Sequence, residues 1–176
     1  MHFSHAATFR RHFLQLAMGI LLTLAAPPLS NAETVSADAI LLSVITPDGS
    51  SHDISEGSFS ALPQATVTTE TAWTQGKQRF DGVLLREVLK YVGVDEGEAK
   101  EKTLTFAALN EYSINVPAED AFKWDTLVAR KQNGELMARR DKGPLWLVYP
   151  RDDHRELRDQ RYDQRWAWQL RRITIK

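Results

Sequence analysis

The chemistry open to this chain is bounded first by what it lacks. None of its 176 residues is a cysteine, which excludes a disulfide framework, a thiolate metal site and a cysteine nucleophile together. Histidine supplies no metal site: His2, His5 and His12 lie near the N-terminus, and His52 and His154 have no second ligand at metal spacing. His154 follows Asp152-Asp153, a grouping that reads as part of a solvated charge run. No serine-histidine-aspartate arrangement and no phosphate-cradling glycine loop is discernible. Tryptophan, in contrast, is abundant. There are five, each with a wide aromatic face and one N–H donor.

Trp73 sits in a polar loop, Ala72–Arg79, with little core to pack in. It either stacks on a ligand or anchors the loop. Trp146, inside Leu145–Tyr149 (LWLVY), reads as core, and Trp124 as packing after a short helix. Trp166 and Trp168 are two apart and so share one side of a strand, Trp168 as core or as pocket wall. Arg165 adjoins them. Its planar fork could address a carbonyl and a ring nitrogen together, although an arginine in a charged loop is ordinarily just solvated. Asp141, before Gly143-Pro144, is the candidate carboxylate or else a turn cap. Asn110 and Tyr112 mark a strand-turn-strand corner, where asparagine more often serves the turn than a ligand. Tyr149 ends a buried strand and could present its hydroxyl at a site rim.

The elements that must position these side chains follow from pattern. Ala39–Thr46 is an apolar, β-branched strand closed by Pro47-Asp48-Gly49, and His52–Ile54 returns as a second. Ser55–Leu62 suits one or two helical turns, and Gln64–Thr71 is a threonine- and valine-rich strand. After a short extended piece, Phe80–Val83, the spacing of Leu85, Val88, Leu89 and Val92 predicts a helix over 84–92 that stops at Gly93. Asp95–Lys102 is a charged connector. Thr103–Leu109 and Tyr112–Val116 are strands, and Pro117 opens a short helix through Phe122. Thr126–Lys131 and Glu135–Arg139 flank the hairpin signal Asn133-Gly134. Arg151–Gln164 is a charged loop or surface helix, and Trp166–Ile175 is the last strand. Many short strands with two or three brief helices imply an α+β fold with mainly antiparallel pairing.

Residues 1–32 read as a targeting segment instead of fold. Arg10 and Arg11 precede the apolar run Leu14–Ala26, and Ser30-Asn31-Ala32 forms a small-residue cleavage site. The run is too short to span a bilayer comfortably, although an uncleaved anchor is the alternative. Arg10-Arg11-His12-Phe13-Leu14 also matches the twin-arginine pattern, except that Phe9 replaces the usual small polar residue. The expected mature domain, 33–176, is exported to the periplasm with cleavage near Ala32. The signal carries two of the 22 basic residues and none of the 23 acidic ones, so the net charge moves from -1 to about -3. Such a charge offers no basic footprint for nucleic acid.

Four motifs now matter together: Phe80-Asp81-Gly82-Val83-Leu84-Leu85-Arg86-Glu87-Val88-Leu89, Leu109–Pro117 (LNEYSINVP), Asp141–Pro150 (DKGPLWLVYP) and Trp168-Gln169-Leu170. In order and spacing they resemble the molybdopterin-binding domain of the sulfite oxidase family, across almost all of the mature chain. The resemblance implies that fold. It also implies a difference. Enzymes of the family hold molybdenum through one cysteine thiolate, on a strand that aligns with Thr68–Thr71, and threonine offers only a neutral hydroxyl there.

The chain is more similar to small exported members without the cysteine, which are pterin-binding proteins. That likeness implies a non-catalytic protein that binds a reduced pterin non-covalently, without molybdenum. It implies contact with the periplasmic domain of an inner-membrane diguanylate cyclase/phosphodiesterase or another sensor, and so influence over cyclic-di-GMP and biofilm formation. A pterin site needs an aromatic face, a carboxylate for the amino and ring N–H edge, and a cation or amide for the carbonyl side. The expected ligand-binding set is Trp73, Asn110, Tyr112, Asp141, Tyr149, Arg165 and Trp168. Two alternatives stand: a molybdopterin-dependent oxidoreductase that holds its cofactor without a cysteine ligand, and a docking subunit whose inherited pocket is unused.

Overall fold

The turn at Pro47-Asp48-Gly49 shows how closely local chemistry sets this architecture. The computed structural model describes residues 35–176, so the export segment 1–32 lies outside the described residues. β1 (Ile40–Ile45) and β2 (Ser51–Ser55) pair antiparallel across that turn. Gly49 takes φ +86°, which glycine accepts without a Cβ penalty. The Asp48 carboxylate accepts from Thr46 Oγ1 at 2.6 Å and from the Ser50 N–H at 3.0 Å. These bonds favour its ionised form and hold it at about 2.

β1 and β2 belong to a five-stranded sheet completed by β5 (Thr103–Ala108), β6 (Ser113–Pro117) and β10 (Leu170–Ile175), in the order β2-β1-β10-β5-β6. β10 is central: parallel to β1 and antiparallel to β5. Every other pairing among the described residues is antiparallel. The second sheet runs β3 (Gln64–Thr69), β4 (Gln78–Leu84), β7 (Leu127–Gln132) and β8 (Glu135–Leu136), with β9 (Trp146–Val148) also on β7. β4 and β7 meet so closely that a Cβ on Gly82 would lie 2.1 Å from the Val128 carbonyl oxygen. Only glycine fits there.

Helices are short. α1 (Glu56–Ala61) starts where Ser55 Oγ accepts the Ser58 N–H, and it buries Phe59. Glu56 on α1 pairs with the buried Arg130 of β7, which also donates to the Pro144 carbonyl. α2 (Leu85–Tyr91) buries Leu85, Val88 and Leu89, and ends at Gly93 with φ +84°. α3 (Glu96–Ala99), α4 (Asp120–Lys123) and α5 (Gln160–Asp163) are single turns. Among the described residues, no helix is long and apolar enough to cross a membrane.

The α+β reading with mainly antiparallel pairing is what the structure contains. Several boundaries differ. The charged connector at 95–102 holds α3, capped by the Asp95 side chain on the Glu98 N–H. Pro117 ends β6 instead of opening a helix, because β6 pairs Pro117 with Thr103 and α4 begins only at Asp120. The last strand begins at Leu170, not Trp166. Residues 166–169 divide their hydrogen bonds between two sheets, so neither claims them: the Leu147 N–H donates to Ala167 O, and the Leu109 N–H to Gln169 O. Gln169 itself sits at φ +52°.

Candidate functional site: a tryptophan-walled pocket

Four of the five tryptophans converge, although they come from three distant parts of the chain. Trp73 lies in the loop between β3 and β4. Its N–H donates to Thr71 Oγ1 at 3.1 Å, and Thr71 Oγ1 is 2.8 Å from Thr74 Oγ1, so the turn is fixed by hydroxyl bonds. The Trp73 ring centroid lies 5.2 Å from that of Trp168, 5.7 Å from Trp166 and 6.2 Å from Trp146. The contacts to Trp168 and Trp146 are edge-on, the arrangement that ring quadrupoles favour. Trp146 is fully buried and packs edge-on against Phe80 at 5.3 Å. Trp124 is apart, against Tyr149 and Tyr162.

The 166–169 segment is pinned at both ends. Its hydrogen bonds to Leu147 and Leu109 tie it to β9 and to the end of β5. The Gln169 side chain donates to the carbonyls of Arg139 and Asp141, and its N–H to that of Lys142. Trp166 and Trp168 are therefore held as fixed walls, not as mobile loop residues.

Between these walls is a pocket of about 410 Å³ with mainly apolar lining. Trp73, Trp166 and Trp168 enclose it, Ala108, Asn110 and Tyr112 come from the β5–β6 corner, and Asp163 and Gln164 come from the end of α5. The volume lies within the usual range for small-molecule sites, roughly 300–1,000 Å³. Surface pockets of about 470 and 500 Å³ elsewhere contain no tryptophan and are lined largely by polar and charged side chains. Tyr112 is 59% exposed and Trp73 38%, so both reach the mouth. Asn110 Oδ1 accepts the Tyr112 N–H at 3.1 Å and shapes the corner. The indole N–H groups of Trp146 and Trp166 are buried and meet no acceptor among the described residues.

The structure thus brings together Trp73, Asn110, Tyr112 and Trp168 from the expected set. Asp141, Tyr149 and Arg165 do not line the pocket. The Asp141 side chain is exposed and accepts Lys142 Nζ at 3.4 Å, and its carbonyl accepts from the Gln169 side chain. Tyr149 is fully buried instead of reaching a rim, because its hydroxyl donates to Asp120 Oδ2 at 2.8 Å. Arg165 donates to the same oxygen at 2.5 Å and stacks over Tyr162 at 4.6 Å. Burial raises the Asp120 carboxyl, with the bonds from Arg165 and Tyr149 opposing it. Burial also lifts the Tyr149 phenol well above its ordinary value, assisted by the Asp120 charge. This trio ties Arg165, between Gln164 and Trp166, to Asp120 of α4, outside the lining of the pocket.

Sequence reasoning missed Asp163, Gln164 and the wall role of Trp166. Asp163 belongs to a charged run and is singled out only by its ion pair with Arg151, 2.5 Å away. Among the described residues, no group of three or more histidine, aspartate or glutamate side chains is placed to hold a metal ion. On the segment Thr68–Thr71, where the resemblance puts the thiolate-bearing strand, Thr69 Oγ1 donates to the Glu70 carbonyl and accepts the Asp152 N–H. Its hydroxyl is already committed within the protein.

Residues 55–152 match the oxidoreductase molybdopterin-binding domain family. The chain belongs to that family. The match includes Trp73, the β5–β6 corner and Trp146, and stops short of Asp163–Trp168. Among solved structures, the sulfane dehydrogenase SoxCD from Paracoccus pantotrophus superposes with a TM-score of 0.57 at 20% identity. The alignment covers 80% of this chain and 39% of that one, so this chain spans about two-fifths of its length. At that identity the likeness establishes the sulfite oxidase-like molybdopterin-binding fold and nothing about substrate. No curated protein matches the chain significantly.

Proposed function

We propose that this domain is a non-catalytic pterin-binding protein that acts in the periplasm and reports its ligand to a membrane sensor. One observation carries the reading: a pocket walled by three tryptophans lies in a domain of the molybdopterin-binding family whose chain has no thiol. The donor set does not fit a thiolate-held molybdenum centre. The chain lacks cysteine, and the hydroxyls of Thr69 and Thr71 are spent on internal bonds. A flat heteroaromatic ring does fit. It needs faces and hydrogen-bonding edges, which the indoles, Asp163, Gln164 and Asn110 supply.

The periplasmic location rests on the paired arginines, apolar run and Ser30-Asn31-Ala32 of the export segment. Partner contact is supported by Tyr112, Trp73 and Leu109, exposed apolar side chains at or beside the pocket mouth. A sensor seated there would feel whether the pocket is filled. By the family likeness, the partner is the periplasmic domain of an inner-membrane enzyme that makes or degrades cyclic-di-GMP, with biofilm formation as the downstream output.

Mass spectrometry of the small molecule released from periplasm-purified protein tests the central claim. A reduced pterin at about one per chain, with no molybdenum, is the expected result. Stoichiometric molybdenum with turnover of an oxyanion substrate would replace this reading with that of an oxidoreductase.

A further inference from the structure

Within the pocket, one polar residue is held in place and only half used. Asp163 closes α5 and lines the tryptophan cavity. Its Oδ1 takes the Arg151 guanidinium at 2.5 Å, and Arg151 is braced in turn by a bond to the Arg158 carbonyl at 3.2 Å. Among the described residues, Oδ2 accepts no hydrogen bond. The Asp163 side chain is 18% exposed, and Oδ2 is not sealed inside the protein, so it is open to an incoming donor. Gln164, next in the chain, adds a side-chain amide to the same lining.

Resting on the pterin reading above, we infer that Asp163 is the specificity-determining residue, selecting pteridines that carry a 2-amino group beside a ring N–H. The 2-amino-4-oxo ring presents two donors along one edge, and a carboxylate is the acceptor-only group that matches them. A 2,4-dioxo ring keeps the same flat face for the tryptophans. It turns one of those donors into a carbonyl, which meets the carboxylate acceptor to acceptor. Gln164 can donate to the 4-oxo group common to both rings, so it does not distinguish them. The selection then falls to Asp163, at a position anchored from behind by Arg151.

The test compares parent pterin with lumazine, its 2,4-dioxo counterpart, by calorimetry and tryptophan quenching slightly below neutral pH. The intact protein is expected to favour pterin by about tenfold to a hundredfold, the scale of one charge-assisted hydrogen bond. Asp163→Asn supplies both an acceptor and a donor, so the preference should fall to within about twofold or reverse. Asp163→Ser, which also removes the carboxylate, provides the same readout if the asparagine variant folds poorly. Equal binding of the two rings by the intact protein overturns the inference and leaves the pocket reading standing. A preference for pterin that survives both substitutions also overturns it. If neither ring binds the intact protein, the pocket reading fails and the inference falls with it.

Discussion

Replacing Trp73 by alanine separates a ligand-facing tryptophan from one that merely pins a loop. The ring is 38% exposed and meets three other indoles, at centroid distances of 5.2, 5.7 and 6.2 Å. Its removal forfeits aromatic contacts worth roughly 0.5–1.5 kcal/mol each beyond burial, so some loss of stability is expected under either role. The loop has a second anchor that the substitution leaves alone. Thr71 Oγ1 still bonds Thr74 and can still accept the N–H at position 73. The loop should therefore keep its course. A stacked heteroaromatic ring would lose about 1–3 kcal/mol of binding free energy, or about fivefold to 150-fold in Kd. Calorimetric titration with a tetrahydropterin measures this directly, and urea unfolding of the same samples reports stability. Weaker affinity with a normally folded domain supports the stacking role. Unchanged affinity, within twofold, in a folded variant removes Trp73 from the binding surface and leaves it an anchor only.

Other perturbations probe the frame. Gly82→Ala drives a Cβ to 2.1 Å from the Val128 carbonyl oxygen, and should lower the urea midpoint by the equivalent of about 1–3 kcal/mol as β4 and β7 part. Tyr149→Phe leaves the buried Asp120 with Arg165 as its remaining side-chain partner; a loss of about 1–3 kcal/mol in stability is expected, with pterin affinity changed far less, since Tyr149 does not line the pocket. Asp48 is held down from 3.8 to about 2, so the folded state binds its proton less readily than the unfolded chain does. Its stabilising contribution is complete above about 4 and is lost as pH falls through about 2. Asp48→Asn should flatten that part of the acid-unfolding curve, and an unaltered acid limb would contradict this account.

Local chemistry made much of the frame legible. Pro47-Asp48-Gly49 and Asn133-Gly134 both close hairpins, and Leu85, Val88 and Leu89 form the buried face of α2. Trp146 was recognisable as core because it sits in an uninterrupted apolar run. The site was legible only in part. Trp73, Asn110 and Tyr112 stand out through their loop or corner positions and Trp168 through its Trp-Gln-Leu motif, and all four line the pocket. Arg165 and Tyr149 looked available because their shared partner, Asp120, lies 45 and 29 residues away, beyond the reach of any local pattern. Asp163 reads as one more solvated charge because its partner Arg151 lies 12 residues away, beyond any helical spacing. The end of the alternating pattern before β10 was hidden for a similar reason: residues 166–169 look like strand, but they bond to both sheets.

The bridging segment has a consequence for anyone who trims this protein. The region shared with the family ends at residue 152, yet Asp163, Gln164, Trp166 and Trp168 all lie beyond it, as does β10, the middle strand of its sheet. A fragment cut at that border would keep Trp73 and the corner at Asn110 but lose the facing wall, and its first sheet would be split into two unpaired hairpins. The pocket and the first sheet are thus completed by the same stretch of chain, so a clipped molecule forfeits both at once and cannot persist as a folded domain with an open pocket.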